Sequence, residues 1–281
     1  MKTIGFVDYY ISEWHANNYP IWIKEINENE GKDFCVKYVW AEEYVSPVDG
    51  RNTDEWCAEF GAEKCETIDE LCEKCDYVLV LAPTNPEKHL GYAKEVLKYK
   101  KNTYIDKTFA PDYATAKEIF DIAEKYGTKF FSTSALRYAT ELDDLVESKN
   151  VVAYHGNGTS LEEYVIHQIE MVVKTMALEP EAVRVEKHGP QYFCKVKFPQ
   201  DKNAVIAWVP GMPFSIGAQK ADGKSCYRSI KSDFFRILLA DIIRFYETGE
   251  VSFDTKQTLS AIKIRDAIME GKEKPGEWIA L

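Results

Sequence analysis

No stretch of this sequence approaches the roughly 18 consecutive apolar residues that a membrane span requires. The apolar start is interrupted by Asp8 and Glu13, so it does not read as a secretory signal. Basic residues are in deficit: 35 Lys and Arg against 46 Asp and Glu leave a net charge of −11. A nucleic-acid backbone or an anionic membrane rewards clustered Lys and Arg, so neither is expected as a partner. The seven cysteines are odd in number and scattered, unlike the disulfide framework of a small secreted domain. No internal repeat or low-complexity segment is visible. These absences predict a soluble, cytoplasmic protein whose partner is a small molecule.

What is present is ordinary globular composition, 45% hydrophobic and 29% charged, over 281 residues. At roughly 150 residues per domain, the length predicts two domains. The first half alternates strand-like and helix-like stretches. Thr3–Val7, Phe34–Trp40, Tyr77–Leu81, Thr103–Asp106 and Lys129–Ser132 read as strands, with helical patterns between them. The YVLVL run at 77–81 has the continuous apolar character of a parallel strand buried on both faces. Asn85-Pro86 reads as a helix start, and Asp112 as the cap of another helix that stops at Gly127. Past Leu136 the rhythm changes to several strands, with one helix at about 161–177 and two closing helices at about 233–247 and 255–270. The expected fold is α/β: a Rossmann-like parallel-sheet domain, residues 1–135, followed by an α+β domain with a mostly antiparallel open sheet, residues 136–281.

Certain residues recur in a telling order. Ala82-Pro83 follows the Tyr77 strand, His89 opens the next helix, and Asp106-Lys107-Thr108 follows the next strand. Ser134-Ala135-Leu136-Arg137-Tyr138 stands at the expected domain boundary, and Tyr164–Met171 (YVIHQIEM) lies on the second domain's helix. This series resembles the Gfo/Idh/MocA oxidoreductases, relatives of glucose–fructose oxidoreductase and inositol dehydrogenase. The resemblance implies a Rossmann domain that binds NAD or NADP and a second domain that supplies the substrate site. It implies a catalytic lysine at Lys107, which orients the substrate oxygen, and a general acid/base at His167. It implies an assisting carboxylate at Glu163, and a nicotinamide-side loop at Pro83, Asn85 and His89.

The first loop departs from that pattern. The family's G-x-G-x-x-G lets backbone approach the pyrophosphate, and its three glycine positions fall here at Asp8, Tyr10 and Glu13. The carboxylates of Asp8 and Glu13 and the phenol ring of Tyr10 then stand near the pyrophosphate position, with Asp8 and Tyr10 the expected cofactor contacts, which predicts weak dinucleotide binding. The acidic ribose partner at the end of the second strand is also indistinct, since Trp40 and Ala41 precede Glu42.

Other features have competing explanations. Glu163, His167, Glu170 and Lys174 are spaced four, three and four apart and share one helical face. Ser160 and Glu163 also have the spacing of a capping box, which would occupy the Glu163 carboxylate. Asn85 doubles as a helix cap, and Arg137 and Tyr138 either touch substrate or pin the two domains. Cys57, Cys65, Cys72 and Cys75 contain a single C-x-x-C couple on a helix leading into a buried strand, so no metal site is expected. Two functions follow: an NAD(P)-dependent oxidoreductase acting on a sugar, polyol or similar hydroxy or carbonyl compound, or a relative that has lost cofactor binding and serves as a ligand-binding or assembly subunit. Val205, Ala207 and Val209 alternate with Ile206 and Trp208, so both faces of that strand are apolar and a homodimer or homotetramer through the sheet is expected.

Overall fold

A computed structural model describes all 281 residues and divides them into two compact units. The first contains residues 1–132 and 236–253; the second contains 133–235 and 254–281.

The first unit is built on a six-stranded sheet of β1 (Lys2–Asp8), β2 (Phe34–Ala41), β3 (Glu63–Lys64), β4 (Tyr77–Val80), β5 (Thr103–Ile105) and β6 (Phe130–Phe131), in the order β3-β2-β1-β4-β5-β6. Every neighbouring pair is parallel. The helices α1 (Trp14–Glu30), α2 (Thr53–Phe60), α3 (Ile68–Lys74), α4 (His89–Val96) and α5 (Tyr113–Tyr126) connect the strands. Central strands β1 and β4 bury Ile4, Phe6, Val7, Val78, Leu79 and Val80 completely, as the unbroken apolar runs require. Gly5 is needed for close approach. A Cβ there would lie 2.4 Å from the Leu71 side chain and 3.0 Å from Cys75 Sγ, so α3 could not pack on β1. Helix α5 starts on the Asp112 side chain, which accepts from Thr115 N, and stops at Gly127 in a left-handed conformation. Helix α4 starts later than expected. A 3-10 turn at Pro86–Lys88 precedes it, and the Asn85 side chain makes no cap bond.

The second unit holds a seven-stranded sheet made of β7 (Asn150–His155), β8 (Ala182–His188), β9 (Gln191–Lys197), β10 (Asn203–Trp208), β11 (Ser215–Gln219), β12 (Ser225–Ser229) and, at the end of the chain, β13 (Trp278–Ala280). Their order is β12-β11-β7-β10-β9-β8-β13. Only β7 and β10 run parallel. Helix α6 (Leu161–Met176) contributes Val165, Ile169, Val172 and Met176 to the core beneath Val151, Ala153, Ala204 and Ile206.

The helix α7 (Phe234–Thr248) corrects the expected domain division. Residues 236–253 group with the first unit, whereas the sequence reading gives them to the second. The α7 side chains explain it. Tyr246 Oη donates to Val78 O at 2.8 Å and its ring stacks on Tyr77 at 4.7 Å. Phe245 meets Phe131 edge-on, and Glu247 takes both Lys2 and Lys32. The final helix α8 (Lys256–Glu273) returns to the second unit, where Gly271 lies against Val185. No helix is long and apolar enough to cross a membrane.

Candidate functional site

In the first unit, the carboxyl ends of β1, β4 and β5 bring Asp8, Ala82-Pro83 and Asp106-Lys107 together at the edge where open α/β sheets bind ligands. Asp8 Oδ1 accepts from Tyr9 N at 2.7 Å and from Ala82 N at 2.9 Å, tying β1 to the exit of β4. Its other oxygen is buried without a partner. Burial, and then the Glu13 charge, hold the Asp8 carboxyl well above the usual range.

Glu13 is the N-cap of α1. Its Oε2 accepts from His15 N at 2.7 Å and its Oε1 from Ala16 N. These are the backbone donors that a helix N-terminus offers to a phosphate. The His15 ring meets Asp106 through Nδ1 and Oδ2 at 2.5 Å and stacks on Tyr19 at 5.3 Å. Burial alone would raise the Asp106 carboxyl. The His15 charge and hydrogen bond outweigh it and hold the group below its ordinary value.

A strap formed by residues 42–52 lies along the same loop. Glu42 N donates to Asp8 O and Glu43 N to Tyr9 O, at 3.1 and 2.7 Å. Ser46 Oγ donates to Ser12 O at 2.7 Å, while Ser12 Oγ donates to Asp49 and accepts from Arg51. Arg51 also reaches Asn17 at 2.8 Å. Glu42, the first carboxylate after β2, is engaged by Lys88 and by Tyr92 Oη at 2.6 Å.

The remaining expected cofactor contacts are placed as follows. Tyr10 is half-buried with its ring tilted against Tyr9. Pro83 O accepts from Lys107 Nζ at 3.2 Å. Asn85 bonds Glu87 through Nδ2 at 3.0 Å. His89 is fully buried between the carbonyls of Phe109 and Leu81, and burial lowers its pKa. The residues of this loop therefore do not fit a dinucleotide seated on α1: the donors are already bonded, and the group bonding them is an anion. Arg51, a cation beside the loop, is also committed to internal partners.

In the second unit, His167 is almost entirely buried on the inner face of α6, and its Nδ1 lies 2.6 Å from Ser134 Oγ. Leu136 N donates to that same oxygen at 3.2 Å. One turn on, Glu170 forms a buried ion pair with Arg137, through Nε and Nη2 at 2.8 Å each. Lys174 donates to Arg137 O at 2.9 Å and to Asp143 at 2.7 Å. Three of the four residues on the face read from sequence thus grip the 134–143 segment. Glu163 does not join them. It is exposed and bonded to Thr159, and Ser160 Oγ accepts from its N–H at 3.3 Å. The reciprocal half of a capping box, to the Ser160 N–H, is not formed. Arg137 is a buried structural cation, held also by Gln257 at 2.7 Å.

Beside His167 stands an aromatic wall that sequence reading missed. His155, at the end of β7, stacks on Phe214 with centroids 3.5 Å apart and faces Tyr164 at 5.6 Å. His167 lies 5.5 Å from Tyr164 and 5.7 Å from Phe214. Burial pushes the His155 imidazole down to about 4, so it is neutral at physiological pH. The signal was present in part: His155 shares the strand face of Val151 and Ala153 by simple alternation. Gly156 then allows the chain to pass, since a Cβ there would lie 1.7 Å from Val209 O. The cysteine cluster is plain core. Cys72 and Cys75 are buried, with thiols pushed up by burial to about 12 and about 11. No three His, Cys, Asp or Glu side chains converge as metal ligands.

Residues 42–134 match a family model described as the Gfo/Idh/MocA oxidoreductase family, NAD-binding Rossmann fold. Over that stretch, about a third of its length, this chain is similar to the Gfo/Idh/MocA oxidoreductases. The matched stretch begins after the β1–α1 loop, where this chain departs from the glycine pattern. Among curated relatives, the uncharacterized oxidoreductase YhhX of Escherichia coli is 38% identical over 60 residues, which span 21% of this chain and 17% of that protein. Solved structures extend the likeness in fold. The myo-inositol dehydrogenase of Lactobacillus casei, in complex with NAD(H) and myo-inositol, superposes with a TM-score of 0.81 at 12% identity, over 100% of this chain and 97% of that one. A probable dehydrogenase from Thermotoga maritima gives 0.77 at 14% identity, over 99% and 98%. These likenesses, at 12–14% identity, extend to the fold of the whole chain, the parallel sheet followed by the mostly antiparallel one.

Proposed function

We propose that this chain binds a small hydroxylated or carbonyl compound, a sugar or polyol, at His167, and that it does so without a dinucleotide seated on α1. The observation that supports this reading best is the Ser134–His167 pair set against Tyr164, Phe214 and His155. An imidazole held by a hydroxyl has a defined ring orientation and two nitrogens that can give or take a proton, which suits it to a hydroxyl or carbonyl oxygen. The aromatic faces beside it suit the C–H faces of a sugar ring. In this reading His167 gives or takes the proton of the bound hydroxyl. The family resemblance implies a further role for Lys107, at the end of β5, whose Nζ donates to Pro83 O within the first unit. Glu163 is left out of the catalytic set because Thr159 engages its carboxylate.

A second reading is NAD(P)-dependent oxidation of the same class of compound. The match of residues 42–134 to a family model described as NAD-binding favours it, as do the inositol substrates of structural neighbours. It requires Glu13 to leave the α1 amides. A thermal-shift panel of inositols, aldoses and sugar acids tests the proposal. A ligand that raises the melting temperature of the wild type but not of His167→Ala supports it. Equal stabilisation of both proteins, or none by any compound, argues against the His167 site.

A further inference from the structure

We infer that Glu13 is a built-in occupant of the anion seat at the start of α1: its carboxylate takes the place of a bound phosphate, and the chain excludes pyrophosphate-bearing ligands from that seat. The inference concerns the first unit and does not depend on the His167 reading.

Three observations carry it. First, both carboxylate oxygens are committed, one to each of two first-turn amides, His15 N and Ala16 N. An incoming phosphate would have to break both bonds and then share the space with a buried negative charge. Second, the carboxylate does not swing free, because the residues on either side are pinned. Ser12 is held by Ser46, Asp49 and Arg51, and the His15 ring is held by Asp106 and Tyr19. Third, the surroundings reject further anions. Asp106 is buried beside this loop, and its charge adds to the burial that raises the carboxyls of both Glu13 and Asp8. Arg51, the cation nearest the loop, is spent on Ser12, Asn17 and Glu59. A glutamate is also an uncommon N-cap, since Ser, Thr, Asp and Asn reach the first-turn amides with shorter side chains. Burial raises the Glu13 carboxyl, while the charge of His15 and its two amide bonds oppose that rise.

The test uses inorganic pyrophosphate and isothermal calorimetry on the full chain. Wild type is expected to give no saturable heat. Glu13→Ser keeps an N-cap oxygen but vacates the seat, and Asp8→Asn with Glu13→Ser removes both neighbouring carboxylates. The double variant is expected to bind pyrophosphate at least 10-fold more tightly than wild type, about 1.4 kcal/mol. Tight pyrophosphate binding by wild type, or no gain in folded variants, overturns the inference. A second measurement needs no variant. The ¹⁵N–¹H resonances of His15 and Ala16 in wild type are expected to shift together as the Glu13 carboxyl titrates. If both amides stay fixed while that carboxyl titrates, Glu13 does not occupy the seat.

Discussion

His167 Nδ1 stands 2.6 Å from the hydroxyl of Ser134, whose oxygen already accepts the N–H of Leu136. The hydroxyl can therefore give its proton to the ring or accept one from it, and that choice fixes which imidazole nitrogen is basic. Ser134 is a positioning residue in this scheme. Ser134→Ala is expected to weaken binding of any ligand found at His167 by about 3- to 10-fold, matching the loss of one hydrogen bond. It should also change the Nδ1/Nε2 tautomer ratio read by ¹⁵N NMR. An unchanged ratio would mean that Ser134 only packs against the ring.

The Arg137–Glu170 pair is buried on both sides. Glu170→Leu leaves a guanidinium without its counter-charge and is expected to cost about 3–5 kcal/mol in urea denaturation. Arg137→Met combined with Glu170→Leu should cost clearly less than Glu170→Leu alone, because no charge is then stranded. A double variant that adds the two single losses would show that the residues act independently.

His155 gives the second unit a pH signature. Its imidazole falls from an ordinary 6.5 to about 4 through burial, so the native state binds fewer protons than the unfolded chain in that window. Its contribution is intact above about 6.5 and is lost as pH falls toward 4, at up to roughly 1.4 kcal/mol per pH unit. His155→Phe should flatten that part of the stability profile. An unchanged slope in the variant would assign the effect to other groups.

Asp8 acts in the opposite direction. Its carboxyl is held high by burial and by Glu13, so over the range above 3.8 the native state keeps a proton that the unfolded chain releases. Stability from this group therefore weakens as pH rises. Asp8→Asn should gain on wild type between about pH 5 and pH 8 in paired thermal melts. A widening deficit over that interval would contradict the assigned direction.

The open face of the second sheet carries Val152, Tyr154, Phe193 and Val205 in half-buried positions, with Tyr227 58% exposed. Association through this face remains our proposal. Light scattering at about 10 μM should give a dimer or tetramer for wild type and a smaller species for Val205→Glu. A wild-type monomer would end the proposal.

The strands of the first unit were legible because β1, β4 and β5 are short apolar runs closed by turn residues, and the alternation of helix and strand allows few arrangements. The face of α6 was legible for the same kind of reason, since helical spacing alone aligns His167, Glu170 and Lys174. What these residues meet was not legible. Ser134 is 33 positions from His167, and nothing local in either segment announces the pairing. The placement of α7 was hidden because an apolar stripe shows that a helix is buried but not which sheet it covers. Glu13 was read as a missing glycine. Its capping role depends on the path of the 12–16 backbone and on a strap some thirty residues further on, neither of which has a sequence period.

Titrating wild-type protein with NADH and NADPH, following nucleotide fluorescence, tests the central claim most directly. With Glu13 on the α1 amides, neither nucleotide should saturate below about 100 μM, a binding energy weaker than about −5.5 kcal/mol. Saturation at low micromolar concentration would contradict the account, because the dinucleotide would then have to displace Glu13 or bind away from α1.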